Sequence, residues 1–318
     1  MTKYSINLII ATYSGKYGPE LKNNYLKNNL KIINSLKTNI SQITIIKPKV
    51  EKNHQEIEGY YDFDNSDILN IKGKIKIYEC ENIGISYGQY FIGISKDPNF
   101  DYYILIEDDY TIFSNYFEEE FINEFQKNEN DSLLCSFIYK NKLWNLLEYA
   151  SIVNENILNK NLLYQKLSEN NMLNVKCNIP DFSLCLLSKL TVNKIFNYFG
   201  STNRIIDIFN IKLEKIWLHQ ILFGYILNVS GIKIYDIASI HLNIFYHTGN
   251  NMISTCNFEN YVGNWKDKYY QGEKFKNPIF IPIQMLNTNI YDKDLIEMKK
   301  YLIDSDEFDN KLKFLNNI

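Results

Sequence analysis

Apolar and polar positions along the first half of the chain alternate between strand-like runs and segments with helical spacing. The strand-like runs lie at 5–12, 42–46, 74–78 and 102–106. Between them, apolar residues recur every three or four positions in 22–36, and a second, shorter helix fits 86–95. The order β-α-β-β-α-β predicts an α/β fold, with a mostly parallel, Rossmann-like central sheet and helices on both of its faces.

The second half has a less regular pattern. It predicts strands at 133–138, 182–187, 232–235 and 240–246, a helix at 212–227, a loop at 250–275 and a surface helix at 292–302. We therefore expect one domain over 1–250, followed by an extension of loop and helix over 251–318. The predicted loop at 250–275 is rich in aromatic and basic residues. It is either an ordinary surface loop or one that closes over a ligand and excludes water.

Composition and charge argue against several classes of protein. The 318 residues carry a net charge of −3, so no basic surface exists to neutralise the phosphates of a nucleic acid. No apolar run reaches the length of a bilayer span, and the first residues lack the features of a signal peptide. Five scattered cysteines without a CxxC pair suit reduced, mostly buried thiols. We expect a cytoplasmic protein with no transmembrane segment and no nucleic-acid partner, in an oligomeric state that stays open.

Two loops leave the carboxyl ends of apolar strands, where parallel sheets bind their ligands. They are Thr12 to Gly18 after the first strand, and Glu107 to Thr111 after the fourth. The second loop opens with three adjacent carboxylates, Glu107, Asp108 and Asp109. Because like charges repel, this cluster costs stability unless a cation or hydrogen-bond donors neutralise it. Mg²⁺ or Mn²⁺ prefers such oxygen ligands and can also bridge two phosphates.

The direction of these carboxylates suggests a division of roles. On an extended backbone Glu107 and Asp109 point to one side and Asp108 to the other. One side would hold a metal while the other reaches a ribose hydroxyl. The alternative is a structural acidic turn that caps a helix beginning near Thr111, since Asp is common at helix starts.

The segment 82–109 resembles a stretch of the GT-A-fold glycosyltransferases, especially their large inverting family. In that family an Asn-x-Gly turn and a short glycine-containing helix lead into an apolar strand that ends in a DxD-type metal motif. Asn82 and Gly84 match the turn, Gly93 and Ile94 match the helix, and Glu-Asp-Asp at 107–109 matches the motif. Residues 9–13 are also similar to the family's first strand and base-binding loop. The resemblance covers about a third of the chain and departs from the family after the second strand, which ends in Ile-Lys-Pro at 46–48.

The resemblance implies a GT-A-type fold with a smaller acceptor-side region. Residues 1–110 would then form the nucleotide-sugar-binding half and 111–250 the acceptor half. It also implies a metal-dependent transfer of a hexosyl or N-acetylhexosaminyl group from a nucleotide-diphosphate sugar, with UDP as the favoured nucleotide. The acceptor would be a hydroxyl of a glycan, a protein or a small molecule.

Site residues follow from the same resemblance. Asp109 would coordinate Mn²⁺ or Mg²⁺, and Asp108 would face the ribose or assist the metal. Glu107 would hold the turn or interact with the metal through its outer coordination sphere. His247, after a predicted strand, would be a further metal ligand. The remaining nucleotide contacts would come from Thr12, Tyr13, Asn82 and Gly84.

An inverting transfer needs a general base for the acceptor hydroxyl. Glu214 begins a helical segment that resembles the family's acidic helix, and Asp181, after Pro180, is the rival. Each has a structural explanation, since carboxylates are favoured in a first helical turn and after proline in turns. His54 lies in a polar segment, and we expect no role for it.

Two other functions compete with glycosyl transfer. A nucleotidyltransferase acting on sugar phosphates shares an α/β core and a metal-carboxylate site, but it usually opens with a glycine-rich basic loop. Residues 13–18 match such a loop only in part. A non-catalytic sugar-binding module would need neither the acidic triplet nor an acidic helix start.

Overall fold

The computed structural model describes residues 4–15, 25–63, 74–108, 110–112, 115–138, 143–152, 156–211, 218–236 and 280–282. The strands are β1 (Ile6–Ala11), β2 (Gln42–Pro48), β3 (Lys74–Cys80), β4 (Tyr102–Glu107), β5 (Tyr110–Ile112), β6 (Leu133–Ile138), β7 (Pro180–Ser188), β8 (Ile234–Asp236) and β9 (Phe280–Pro282). The helices are α1 (Tyr25–Ser35), α2 (Ile85–Lys96), α3 (Phe117–Phe125), α4 (Leu146–Ile152), α5 (Lys160–Glu169), α6 (Lys189–Phe199), α7 (Thr202–Phe209) and α8 (Leu218–Val229). The strand predicted at 240–246, the loop at 250–275 and the helix at 292–302 lie outside the described residues.

Seven strands form one sheet in the order β3-β2-β1-β4-β7-β6-β8. The pairs β3–β2, β2–β1, β1–β4 and β6–β8 are parallel, and β7 runs antiparallel to both β4 and β6. The prediction of a mostly parallel α/β sheet is confirmed. The division of the chain at residue 250 stays a prediction, because that boundary lies outside the described part of the chain.

Helices cover both faces of the sheet, which explains why the central strands are apolar at nearly every position. In β1, Ile9 and Ala11 join one buried cluster, whereas Leu8 and Ile10 join the other. Residues of α2, α5, α7 and α8 pack on the first face, and residues of α1 and α3 pack on the second. Burial on both faces is typical of parallel sheets with helical crossovers.

The order of the strands reverses next to β1. From β1 the chain passes through α1, on one face, to β2, and from β3 it passes through α2, on the other face, to β4 on the far side of β1. Such a reversal opens a crevice outside the carboxyl ends of the two strands. The loops after β1 and β4, which the sequence singled out, therefore lie side by side.

A polar network closes the opposite, amino-terminal edge of the sheet around Asp97, which follows α2. Asp97 accepts hydrogen bonds from Gln42 at 2.8 Å and Tyr78 at 3.0 Å, and pairs with Lys76. Although burial opposes the shift, these donors hold the pKa of Asp97 below its ordinary value. Tyr103 donates to the Asp97 carbonyl at 3.1 Å, which ties β4 to the end of α2.

The structure corrects one alternative and adds elements that the pattern did not reveal. Tyr110 to Ile112 form β5, which pairs antiparallel with β9, so a helix beginning near Thr111 was the wrong alternative. The first helix after the acidic cluster is α3, and α4 to α7 were not predicted either. Among the residues described, no helix combines the length and apolar character needed to cross a bilayer. The four cysteines in this part of the chain are free thiols.

Candidate functional site

The loop after β1 is fixed to its surroundings through Thr12, which is 2% exposed. Its N–H donates to Gln89 Oε1 at 2.9 Å, and its carbonyl accepts from Gln89 Nε2 at 3.1 Å. Its hydroxyl lies 2.7 Å from both the Ile46 carbonyl and the Tyr61 hydroxyl. Thr12 therefore joins three elements, and its predicted contact with a nucleobase stays a prediction.

Asp108 lies directly beside this loop and is 8% exposed. Its N–H donates to the Ala11 carbonyl at 3.0 Å, which extends the pairing of β1 and β4 by one residue. Its Oδ2 accepts a hydrogen bond from the Tyr13 N–H at 3.1 Å and another from the Tyr60 hydroxyl. The two loops predicted to form the site are thus joined through one carboxylate oxygen.

Glu107 contacts a different element. Ser86, in the first turn of α2, donates to Glu107 Oε1 at 2.5 Å. Helix α2 packs on one face of the sheet, whereas Tyr60, which donates to Asp108, belongs to the core on the other face. The Glu107 and Asp108 side chains therefore point to opposite sides of the strand end. This agrees with the opposite directions that an extended backbone predicts for neighbouring side chains.

The turn that leads into α2 is closely packed. Gly84, the residue before the helix, has a φ of 73°, a left-handed conformation that favours glycine. A Cβ at this position would also lie 2.6 Å from Phe209 Cβ, and a Cβ at Gly88 would lie 1.8 Å from the Ile83 carbonyl oxygen. Among the described residues, Asn82 Oδ1 is a buried oxygen that receives no hydrogen bond. The Asn-x-Gly turn is therefore a tight turn in which the buried Asn82 Oδ1 receives no hydrogen bond from the described residues.

Residues 51–63, which we call the covering segment, follow β2 and fold back over the loop after β1. Gly15 and Glu56 form an antiparallel bridge, and the Ile57 N–H donates to the Ser14 carbonyl at 2.8 Å. The Tyr13 hydroxyl bonds to Nδ1 of His54, for which no role was expected. This segment therefore packs directly against the loop after β1.

Charged and aromatic groups meet at the outer side of the same segment. Lys47 lies 5.1 Å from the centre of the Tyr61 ring, 3.8 Å from Glu56 and 3.3 Å from Glu79. Burial raises the pKa of Tyr61 above its ordinary value, so this phenol stays protonated at all ordinary pH values. The Ile-Lys-Pro end of β2 therefore contacts residues 51–63 through Lys47.

Six of the predicted site residues lie at this crevice or at its rim: Thr12, Tyr13, Asn82, Gly84, Glu107 and Asp108. The metal ligand Asp109, the base Glu214 and the ligand His247 lie outside the described residues. No group of three or more candidate ligands gathers within the described part of the chain, so the metal assignment stays a prediction.

The two candidate bases belong to different parts of the chain, Asp181 to β7 and Glu214 to the residues before α8. The backbone of Asp181 pairs with Phe137 near the start of β7. Because β7 is antiparallel to β4, its start lies at the same edge as the carboxyl end of β4, so the backbone of Asp181 lies at that edge of the sheet. The other candidate, Glu214, precedes helix α8 in the sequence. This helix begins at Leu218, and His219 Nε2 lies 3.2 Å from the carbonyl of Phe209, the residue that packs on Gly84.

Sequence reasoning missed the side chains that hold the site together: Ser86, Gln89, Tyr60, Tyr61 and His54. Tyrosine occurs 25 times in the chain, so no single tyrosine stood out. The usable signal was position, because residues after β2 must pass close to the end of β1 when the two strands pair in parallel.

No protein-family model and no curated protein matches the chain. Among solved structures, mouse xyloside xylosyltransferase 1 is similar at 9% identity and a TM-score of 0.40, over 87% of this chain and 96% of that one. The bifunctional glycosyltransferase WbbM is similar at 11% identity and a TM-score of 0.48, over 95% of this chain and 52% of that one. A CMP:2-keto-3-deoxy-manno-octonic acid synthetase complexed with CTP is similar at 10% identity and a TM-score of 0.37, over 73% and 88% of the two chains.

Proposed function

We propose that the chain is a glycosyltransferase that binds a nucleotide-diphosphate sugar in the crevice between β1 and β4. One observation carries the proposal. Two carboxylates, Glu107 and Asp108, stand at the carboxyl end of β4, where the strand order reverses, and Asp108 is held by the loop after β1. Open α/β sheets bind nucleotides at this place, and the resemblance of residues 82–109 to GT-A-fold glycosyltransferases supports a sugar nucleotide.

The carboxylates Glu107 and Asp108 suit Mg²⁺ or Mn²⁺ as ligands, because these cations prefer oxygen atoms. Glu107 and Asp108 turn to opposite sides of the strand end, so they do not form a chelating pair with each other. Asp109 and His247 are the further ligands that we propose. When bound, the cation would offset the negative charge that develops on a departing diphosphate.

The remaining parts of the proposal concern the acceptor side. We propose Glu214 as the base that accepts the proton of the acceptor hydroxyl, with inversion at the sugar, and Asp181 as the alternative. UDP is the nucleotide that we favour. The sugar would be a hexose or N-acetylhexosamine.

The first experiment is a thermal-stability screen of the purified protein with UDP-, GDP-, CMP- and ADP-linked sugars, with and without Mn²⁺. A ligand at 100 times its Kd stabilises the fold by about 2.7 kcal/mol, which is readily measured. We expect one nucleotide-sugar to raise the Tm, and Mn²⁺ to enlarge the increase. A response to CTP or another nucleoside triphosphate in place of every nucleotide-sugar would favour the nucleotidyltransferase instead. No response to any nucleotide would leave a sugar-binding module as the better explanation.

The second experiment tests the acidic motif directly. Asp109→Ala is expected to abolish metal-dependent hydrolysis of the donor while the circular dichroism spectrum and Tm stay close to those of the wild type. Unchanged turnover in this variant would remove the assignment of a metal-dependent transferase.

A further inference from the structure

Tyr60 is 2% exposed and comes from the segment after β2, yet its hydroxyl donates to Asp108 Oδ2 at the end of β4. The second donor to the same oxygen is the Tyr13 N–H, from the loop after β1. Two donors from two separate segments converge on one oxygen of a carboxylate. Two hydrogen bonds to one oxygen fix the rotation of the carboxylate, and with it the direction of the other oxygen.

The backbone and the ring of Tyr60 are both fixed by neighbouring groups. The backbone N–H of Tyr60 donates to the Ile57 carbonyl at 3.2 Å, and its ring meets the Tyr61 ring edge to face at a centroid distance of 5.2 Å. Tyr61 is in turn bonded to Thr12, the first residue after β1. The position of the Tyr60 hydroxyl is therefore set by the covering segment and by the β1 loop together.

Asp108 and Glu107 are thus oriented by different elements and toward different sides. Ser86 of α2 orients Glu107, while Tyr60 of the covering segment orients Asp108. A ligand that spans this strand end would meet the two carboxylates with two different parts of its structure. A nucleoside diphosphate has two such parts, a ribose with vicinal hydroxyls and a diphosphate that binds cations.

We propose that Tyr60 is a positioning residue that presents Asp108 to the ribose hydroxyls of a nucleoside diphosphate. The inference rests on the proposed function, and it adds the segment after β2 to the nucleoside side of the crevice. A carboxylate accepts hydrogen bonds from a vicinal diol well only in a fixed orientation, and such charge-assisted bonds are about twice as strong as neutral ones. Without the Tyr60 hydroxyl, Asp108 turns away from this orientation and the ribose hydroxyls lose their acceptor.

The probe is whichever of UDP, GDP, CDP and ADP gives the largest thermal shift with Mn²⁺. Its Kd and that of its 2′,3′-dideoxy counterpart are measured by calorimetry at one Mn²⁺ concentration. Hydrogen bonds to a charged group correspond to roughly a 10- to 100-fold preference of the wild type for the ribonucleotide. In Tyr60→Phe we expect this preference to fall to about threefold or less, mainly because the ribonucleotide binds more weakly.

Tyr103→Phe is the matched control. Tyr103, in β4, is also a fully buried tyrosine, and its hydroxyl donates to the backbone carbonyl of an aspartate, Asp97, at the opposite edge of the sheet. This variant loses the same group and is expected to keep the full preference for the ribonucleotide. A general loss of stability would affect both variants, so only a positioning role separates them.

Asp108→Asn provides a second route to the same answer if Tyr60→Phe folds poorly. We expect Asp108→Asn to lose the preference as well, and the double variant to lose no more than Asp108→Asn alone, because both changes remove one interaction. Full discrimination in Tyr60→Phe would overturn the proposal. So would a change confined to Mn²⁺ dependence, or a wild type that binds the two nucleotides equally. A wild type that binds no nucleotide would instead refute the proposed function.

Discussion

Carboxylates stand at both edges of the sheet, but different groups hold them. At the amino-terminal edge, Asp97 pairs with the ammonium group of Lys76 and accepts from Gln42 and Tyr78. At the carboxyl-terminal edge, Asp108 accepts hydrogen bonds from the Tyr13 backbone N–H and the Tyr60 hydroxyl. The Lys76 ammonium offsets the charge of Asp97, whereas the two donors to Asp108 fix the direction of its carboxylate.

This difference separates stability from binding within one sheet. The amino-terminal network ties α2 to β2, β3 and β4, and every substitution there should act on the free energy of unfolding. Glu107 and Asp108 lie at a crevice, where neighbouring carboxylates are costly to a fold unless donors or a ligand offset them. Substitutions of these carboxylates, or of the groups that donate to them, should act mainly on ligand affinity, whereas tightly packed positions such as Gly84 should act on stability.

The largest effect is expected where the carboxyl-terminal edge depends on close packing. In Gly84→Ala, the new methyl group meets Phe209 and the residue keeps a left-handed φ. The conformation costs about 1–2 kcal/mol and the crowding about 1–3 kcal/mol, so we expect a loss of about 3 kcal/mol in urea unfolding.

Gly200→Ala is the control for this prediction. Gly200 has a φ of 75° after α6, but nothing lies within 4 Å of a Cβ at that position. It should cost only the conformational part, about 1 kcal/mol. Equal losses in the two variants would mean that the Asn82–Gly84 turn is not constrained by α7.

The next effect tests the amino-terminal edge. Asp97→Asn keeps the shape of the side chain but removes the negative charge of the carboxylate that Lys76, Gln42 and Tyr78 contact. Because the Lys76 side chain is 36% exposed, solvent weakens this pair, and we expect a loss of about 1–2 kcal/mol in urea unfolding. Nucleotide affinity should not change. An affinity that falls more than the stability would break the proposed division between the two edges.

The sequence predicted the parts of the fold that depend on periodicity. Buried parallel strands are apolar along their whole length, so β1 and β4 were recognised to within one residue, and β6 was predicted with the observed bounds. Helices α3 to α7 were missed. Their buried apolar residues join clusters whose other members come from distant parts of the chain.

The candidate site was predictable to the extent that it follows from strand ends. Glu107, Asp108 and Tyr13 could be placed because each lies at the carboxyl end of an apolar strand or within two residues of it. Tyr60 and Gln89 could not, because their contacts with Asp108 and Thr12 join residues 48 and 77 positions apart. Contacts over such separations depend on the three-dimensional arrangement, which local patterns do not encode.

Acid sharpens the comparison of the two edges. The carboxyls of Asp97, Asp101 and Asp131 all lie at the amino-terminal edge, and hydrogen bonds from Lys76, Ser5 and Lys194, respectively, hold their pKa values below normal. A lowered pKa adds stability above the ordinary aspartate value of about 3.9, and this stability is lost as the pH falls through the folded-state pKa. The difference in Tm between wild type and Asp97→Asn should therefore be constant from pH 7 to about pH 4 and shrink below that. A difference that grows on acidification would contradict this sign.

The smallest effect concerns the other carboxylate of the crevice. Ser86→Ala removes the donor to Glu107, and a hydrogen bond of this kind contributes about 0.5–1.5 kcal/mol. If Glu107 contributes to cation binding, the Mn²⁺ concentration for half-maximal thermal stabilisation should rise about threefold, which corresponds to about 0.7 kcal/mol. Ser95→Ala is the control, because Ser95 lies on the same helix and donates only to the nearby Ile92 carbonyl, at 2.7 Å. A threefold change in both variants would show that α2 as a whole, and not the contact between Ser86 and Glu107, sets the response to Mn²⁺.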